Sequence, residues 1–164
     1  MAAASRDTFI RLLSALDAWL DKAAANAAER KFDMDVLLNG RLAPDMLPLM
    51  SQIRRATDFA RNGAGRLSQA PAIEFEGEER TLAEAKARIA RTIQHLRDDM
   101  PEANFAGAPE RRFTVRAGAD RMLDMSGEEY LLTSALPNFY FHVSMAYAIL
   151  RHNGVPVGKK DFLQ

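Results

Sequence analysis

Four stretches of this sequence repeat apolar residues every three or four positions, the spacing that places side chains on one face of an α-helix. They run from about Ser5 to Glu29, from Pro44 to Leu67, from Thr81 to just before Pro101, and from Ser126 to Gly154. A single amphipathic helix is barely stable in water, so each apolar face has to pack against another. The pattern predicts an all-α fold, a four-helix bundle, in one domain over residues 1–164.

Polar residues at the helix ends support these boundaries. Thr81 with Glu84, and Ser126 with Glu129, have the spacing of a capping box, in which two side chains bond each other's free backbone N–H groups. Gly154 supplies the residue that commonly follows a helix C-terminus. We expect the third helix to begin after Thr81 and the fourth to run from Ser126 to Gly154.

The start of the second helix is less regular. Asn39-Gly40 favours a turn, and Pro44 then suits a first helical turn because the N–H that proline lacks would have no partner there. Pro48 would remove an early helical hydrogen bond. We therefore expect the second helix to begin near Pro44 and to be irregular or kinked at Pro48.

Two segments between helices have an alternating rather than a helical pattern. Residues 71–77 are interpreted as an extended connection between the second and third helices. Residues 112–116 alternate polar and apolar side chains, residues 117–120 favour a turn, and residues 122–125 form a return strand. The sequence thus predicts a small β-hairpin before the last helix.

Composition excludes several classes of function. The chain has no cysteine, so disulfides, thiolate metal sites and a cysteine nucleophile are excluded. Its 22 basic and 22 acidic residues balance, without a block of one sign, which makes nucleic acid an unexpected partner. No apolar segment approaches the ~20 residues that span a bilayer, and the first residues do not have the pattern of a secretion signal. We expect a cytoplasmic protein that does not bind membranes.

Four segments of the sequence resemble a known family. They are Leu37–Met46, Leu136–His142, Ala146–Gly154 and Gly158–Leu163. Together they resemble an uncharacterised bacterial family, a domain of unknown function, over nearly the whole chain. That family is similar to the DinB/YfiT-like superfamily, regarded as metalloenzymes, whose members are four-helix bundles and often homodimers.

The resemblance implies a divalent metal between the second and fourth helices. One histidine of the second helix and two histidines of the fourth helix would bind it. Here His142 matches one position, Asn138 replaces the histidine one turn earlier, and Asp45 lies at the expected position near the start of the second helix. One imidazole, one carboxylate and one amide make a poor zinc set. The resemblance therefore implies a degenerate metal site and no certain cofactor, although a hard divalent cation could accept these oxygen ligands.

Each candidate also has a purely structural interpretation. His142 lies on an apolar helix face and is interpreted first as a core histidine with a hydrogen-bonding partner, for which Asp45 is a candidate. Asp45 itself could simply complement a helix dipole, and Asn138 could stabilise the backbone near Pro137. Tyr140 is an amphipathic aromatic residue. It is predicted to line a ligand pocket between the second and fourth helices, together with Asp45, Asn138 and His142.

Other polar residues are predicted to lie in solvent. His95, near the end of the third helix, is expected to be exposed, and His152 to interact with the dipole at the end of the fourth helix. The pairs Arg54-Arg55 and Arg111-Arg112 are interpreted as solvated faces.

Three functional hypotheses remain open. The first is a non-catalytic bundle protein that binds a small molecule or a protein partner. The second is a divergent metal-dependent enzyme, thiol-transferase-like or hydrolase-like, that uses Asp45, Asn138 and His142. The third is a homodimer packed through its helices.

Overall fold

A computed structural model of the chain describes residues 1–75, 78–116 and 121–163. Four long helices dominate it, as the periodicity predicts. The helices and strands are α1 (Thr8–Glu29), α2 (Met34–Leu38), α3 (Leu49–Ser68), α4 (Leu82–Asp98), β1 (Arg112–Arg116), β2 (Met122–Ser126), α5 (Gly127–Tyr130), α6 (Leu136–His152) and α7 (Lys159–Phe162). A π-helical turn at Ala3–Asp7 precedes α1, another at Leu131–Ala135 joins α5 to α6, and a 3-10 turn lies at Glu102–Phe105.

The long helices form the predicted bundle. Helix α3 packs against both α4 and α6, and α1 also packs against these two. Large apolar side chains with almost no exposure fill the space between them, among them Phe9, Leu16, Trp19, Ile53, Ile89 and Phe139. In the described residues, no helix is both long enough and apolar enough to cross a membrane.

The predicted hairpin is confirmed. β1 and β2 pair antiparallel, with Phe113 opposite Met125 and Val115 opposite Leu123. Val115 is buried, and the ring of Phe113 meets that of Tyr130 edge-on at 5.9 Å, which holds the hairpin against the bundle. The turn predicted at residues 117–120 falls outside the described residues.

The predicted start of the second helix at Pro44 is wrong. Residues 42–46 form a turn, and α3 begins only at Leu49. Pro48 is its N-cap, with extended backbone at φ −69° and ψ 164°. A residue before proline disfavours helical backbone, which keeps Leu47 out of the helix. The Leu49 N–H is satisfied outside the helix, by the carbonyl oxygen of Gly40 at 2.9 Å.

The fourth predicted helix is confirmed as a continuous run made of α5, the π-helical turn and α6. Its capping box at Ser126 and Glu129 is present, as is the one at Thr81 and Glu84. Pro137 lies in the first turn of α6, directly after the π-helical turn. Because proline cannot donate a helical hydrogen bond, the wider turn accommodates it without ending the helix.

The C-terminal segment folds back onto α1. The Trp19 indole donates from Nε1 to the carbonyl oxygen of Asp161 at 3.2 Å, and Lys22 Nζ lies 2.6 Å from the Asp161 carboxylate. The ring of Phe162 stacks on Trp19 with centroids 5.5 Å apart. Phe162 also meets the ring of Tyr147 edge-on at 5.8 Å. Helix α7 is therefore attached to the bundle by an ion pair, a hydrogen bond and two aromatic contacts.

Candidate functional site

His142 is the only one of the predicted site residues that reaches across to another helix by a hydrogen bond between described side chains. It lies on α6 and is 9% exposed. Its Nδ1 is 2.8 Å from Oε1 of Gln52 on α3, and the Gln52 amide nitrogen donates to the carbonyl oxygen of Leu47 at 3.1 Å. That second bond fixes the orientation of the Gln52 amide. His142 must therefore donate from Nδ1, which leaves Nε2 with the lone pair when the ring is neutral.

The surroundings of His142 disfavour its charged form. Phe59 stacks on the imidazole with centroids 5.5 Å apart. Burial, and secondly the positive charge of Arg55, lower the pKa of His142 from 6.5 to about 4. At neutral pH the ring is uncharged and bonded to Gln52.

The depressed pKa of His142 predicts a loss of stability in mild acid. The unfolded chain binds a proton on this histidine near pH 6.5, whereas the folded chain binds it only near pH 4. The free energy of unfolding should therefore fall as the pH drops from about 6.5 to about 4, and be unaffected by this group above that window. Urea unfolding at about pH 7 and about pH 5 measures the change.

His142→Gln should show a smaller loss between these two pH values than the unmodified chain. His152→Gln, at an exposed position at the end of α6, is the matched control and should keep the full loss. An identical pH dependence in the unmodified chain and in His142→Gln would contradict the assignment.

The other predicted site residues lie apart from this contact. Asp45 is exposed in the turn before α3, so it is not on the helix. Asn138 is half-buried on α6 and donates from Nδ2 to the carbonyl oxygen of Ser134 at 2.8 Å. Tyr140 is 38% exposed. The partner of His142 is Gln52 and not Asp45, because the late start of α3 places Gln52 within its first turn.

These residues do not fit the divalent metal that the resemblance implies between the helices now numbered α3 and α6. A metal between them would have to compete with the amide of Gln52 for His142 and would meet the positive charge of Arg55. Across the three described ranges, no three histidine, cysteine, aspartate or glutamate side chains are grouped to hold a metal ion. Of the three predicted ligands, His142 is bonded to Gln52, Asn138 donates to a backbone carbonyl oxygen and Asp45 is exposed in the turn before α3, so they do not form a three-ligand set.

A cleft of about 270 Å³ opens beside His142, between α3, the hairpin, α5 and the π-helical turn that follows α5. It shares Phe59 and Arg55 with the surroundings of the histidine. Among the described residues, four arginines and one aspartate line it, together with the hydroxyl groups of a tyrosine and a serine: Arg55, Arg61, Arg66, Arg116, Asp58, Tyr130 and Ser134. We call it the arginine cleft. Although the chain has no net charge, the described lining of this cleft carries more positive than negative side chains.

Two of the arginines in the cleft are held in place. Arg66 donates from Nη1 to the hydroxyl of Tyr130 at 3.2 Å, and Arg61 Nε lies 3.2 Å from a carboxylate oxygen of Asp58. The nearby Arg55 is exposed. An incoming anion would therefore meet guanidinium groups whose orientation is already partly set, which reduces the entropy lost on binding.

A buried arginine lies on the other side of the same region. Arg88 on α4 is 6% exposed and donates to Thr57 Oγ1 at 2.6 Å, Asp58 Oδ1 at 2.6 Å and Glu79 Oε1 at 2.8 Å. The ring of Phe75 covers its guanidinium at 4.0 Å. These contacts, the Arg88 network, tie the connection between α3 and α4 to both helices.

The expectation that the arginine pairs are solvated faces is wrong for two members. Arg54 is half-buried and donates to the carbonyl oxygen of Glu79 at 2.8 Å. Arg111 donates to the carbonyl oxygens of Leu67 and Ala106, which fastens the loop before the hairpin to the end of α3. Both side chains satisfy backbone carbonyls of irregular segments, a role that sequence periodicity does not indicate.

The expectation for His95 is also wrong. Its side chain is 4% exposed and its Nδ1 lies 2.6 Å from a carboxylate oxygen of Asp99, one helical turn later. The spacing of four residues was visible in the sequence, but burial depends on the connection between α3 and α4, which packs over this part of the helix. His152 is exposed at the end of α6.

Comparison with known proteins identifies similar chains over nearly the whole sequence. A family model described as a domain of unknown function, DUF1993, matches residues 1–163. The crystal structure of a DinB family member protein from Shewanella denitrificans is 42% identical, with a TM-score of 0.87. The match covers 99% of this chain and 90% of that chain. No match was found among curated proteins.

Proposed function

Because the chain belongs to the DUF1993 family, a DinB-like family of unknown function, we propose a function from its own residues: it binds a small anionic molecule in the arginine cleft, without catalysing a reaction. The observation that carries this proposal is the concentration of four arginines, against one aspartate, in the described lining of a single cleft. Guanidinium groups pair with carboxylates and phosphates through two parallel hydrogen bonds, so several of them around one cleft favour a ligand with more than one negative charge.

The side chains with acid–base chemistry beside the cleft already have structural partners. His142 is already engaged by Gln52 and its pKa is lowered to about 4. It therefore carries no proton to donate from Nε2 at neutral pH. Tyr130 is 3% exposed and accepts a hydrogen bond from Arg66, so it acts as a support for the arginine.

Calorimetric titration with inorganic pyrophosphate and with citrate tests the proposal. We expect saturable binding that weakens as salt is added, because the contacts are ionic. Arg55→Ser should weaken it by about tenfold or more, since a hydrogen bond to a charged group contributes about 1.5–3 kcal/mol. Arg151→Ser removes an exposed arginine at the end of α6 and serves as the matched control, which should bind like the unmodified chain.

A second measurement locates the anion. The positive charge of Arg55 helps to lower the pKa of His142, so an anion bound to Arg55 should raise that pKa. Titration of the His142 ring by NMR, with and without citrate, reads this directly. Binding that is unaffected by Arg55→Ser, or that leaves the pKa of His142 unchanged, would exclude the arginine cleft.

Elemental analysis distinguishes this proposal from the metal-dependent alternative. We expect no stoichiometric metal in protein purified without an affinity tag or chelator. Stoichiometric metal that disappears in His142→Ala would instead support an enzyme using Asp45, Asn138 and His142, thiol-transferase-like or hydrolase-like, and would argue against an anion site here.

A further inference from the structure

A second cavity of about 280 Å³ lies against α3, under the connection to α4, and shares Arg61, Asn62 and Arg66 with the arginine cleft. Its polar lining consists of Arg61, Asn62 and Arg66 from α3 and His95 from α4. Residues 70–73 of the connection supply an apolar wall. No acidic residue lines the described part of this cavity, so it is positive on one side and apolar on the other.

His95 gives the cavity an oriented acceptor. Nδ1–H of His95 donates to the Asp99 carboxylate at 2.6 Å, which orients the ring, and in the tautomer with its proton on Nδ1 the lone pair lies on Nε2. Among the described residues, none is bonded to Nε2, although the ring is 4% exposed and borders the cavity. In the neutral ring, Nε2 is therefore open to the cavity and can accept a hydrogen bond from water or from a ligand.

Arg66 provides the opposite chemistry. Arg61 is committed to Asp58 and to the carbonyl oxygen of Ile73, which closes one end of the cavity. Arg66 is exposed and uses a single N–H for Tyr130. Its remaining donors suit a carboxylate, which a guanidinium binds in a planar pair.

We propose that this cavity binds a small hydroxycarboxylate, with the carboxylate on Arg66 and the hydroxyl donating to Nε2 of His95. The apolar wall from residues 70–73 covers the carbon skeleton of the ligand. The cavity is at the small end of the range for ligand pockets, which are roughly 300–1,000 Å³, so the ligand has only a few heavy atoms. Asp99 is a positioning residue, since it acts only through His95.

The test uses three probes that separate the two contacts: lactate, acetate, which has no hydroxyl, and 1,2-propanediol, which has no charge. Histidine ring resonances and the backbone amide of Gly65 are followed by NMR. Lactate should saturate the shifts of His95 and Gly65 at roughly tenfold lower concentration than either other probe, as expected for the loss of one good hydrogen bond or ion pair. The ring resonances of His152 should not shift.

Variants of the histidine and aspartate complete the test. His95→Gln should weaken lactate binding by roughly tenfold, read at Gly65. Asp99→Ala, at a side chain that is 54% exposed, should weaken lactate binding and also change the ring nitrogen shifts that report the tautomer of His95. Asp98→Ala is the adjacent exposed control and should leave both unchanged.

Three results would overturn the proposal. If acetate bound as tightly as lactate, the hydroxyl group would not contribute to binding. If no saturable shift occurred at Gly65, lactate would not bind in this cavity. Unchanged lactate binding in Asp99→Ala would remove the positioning role. Arg66 borders both sites, but His95 and Asp99 do not line the arginine cleft and Arg55 does not line this cavity. Variants of His95 and Asp99 therefore test this cavity, and Arg55→Ser tests the arginine cleft.

Discussion

Arg88→Met should lower the free energy of unfolding by about 3 kcal/mol, the low end of the cost of breaking a buried ion pair. The variant removes the guanidinium group that pairs with the carboxylates of Asp58 and Glu79. Water compensates for this loss only partly, because the side chain of Glu79 is 10% exposed and that of Asp58 is 27% exposed. Arg54 and Arg61 remain within 3.3 Å and 3.2 Å of these carboxylates, which limits the loss. Thermal unfolding should shift down by about 6–12 °C in a chain of this size.

Arg91→Met provides a matched control on the same helix. Arg91 also faces the ring of Phe75, at 5.1 Å, but it is exposed. A cation–π contact at an exposed position contributes about 0.5–1 kcal/mol, so the control should shift the unfolding transition only slightly. Equal losses in the two variants would show that the aromatic contact, and not the buried ion pairs of the Arg88 network, stabilises the connection.

Gly127→Ala should destabilise the protein by about 3 kcal/mol, the upper part of the usual range for forcing extra atoms into a packed site. A Cβ at position 127 would overlap the carbonyl oxygen of Ala108 and lie 2.9 Å from its carbonyl carbon. Both are backbone atoms, so no side chain can rotate away. A hydrogen bond keeps these two segments close together, since the Glu128 N–H donates to the carbonyl oxygen of Pro109 at 3.1 Å. Urea unfolding monitored by circular dichroism measures the loss.

The same substitution at Gly65 should have the opposite sign. A Cβ at this position in α3 meets only the flexible end of Met100 at 3.7 Å and a backbone oxygen at 4.0 Å. Alanine is favoured over glycine inside a helix by about 0.5–1 kcal/mol, so Gly65→Ala should stabilise the protein by that amount. If Gly127→Ala were neutral, the contact between the loop before the hairpin and α5 would not be as close as described.

The main helices and the hairpin could be predicted because their signals are local. The three-to-four spacing of apolar residues, the capping boxes at Thr81 and Ser126, and the alternation of residues 112–116 each specify an element within a few residues of sequence. The start of α3 could not be placed in this way. Pro44 and Pro48 are both acceptable near a helix N-terminus, and the choice depends on the hydrogen bond between Leu49 and Gly40.

The candidate site was only partly predictable for a different reason. His142 could be singled out from its place on an apolar helix face, but its partner Gln52 is 90 positions away and has no distinctive pattern around it. Arg88 and His95 lie among charged and polar neighbours on α4 and look exposed in the sequence. They are buried because the connection between α3 and α4 folds over them. The alternating pattern of that connection predicts an extended chain, but it does not predict the path of that chain across α4.

Trp19 is the only tryptophan in the chain, and its indole is covered by the last helix through Asp161 and Phe162. The fluorescence of Trp19 consequently reports on whether α7 is attached to α1. Detachment of α7 breaks few contacts, so it should occur more often than global unfolding, as expected for a terminal unit of low local stability. Emission from this one residue would then detect release of the C-terminus while the far-ultraviolet signal of the bundle is still that of the native protein.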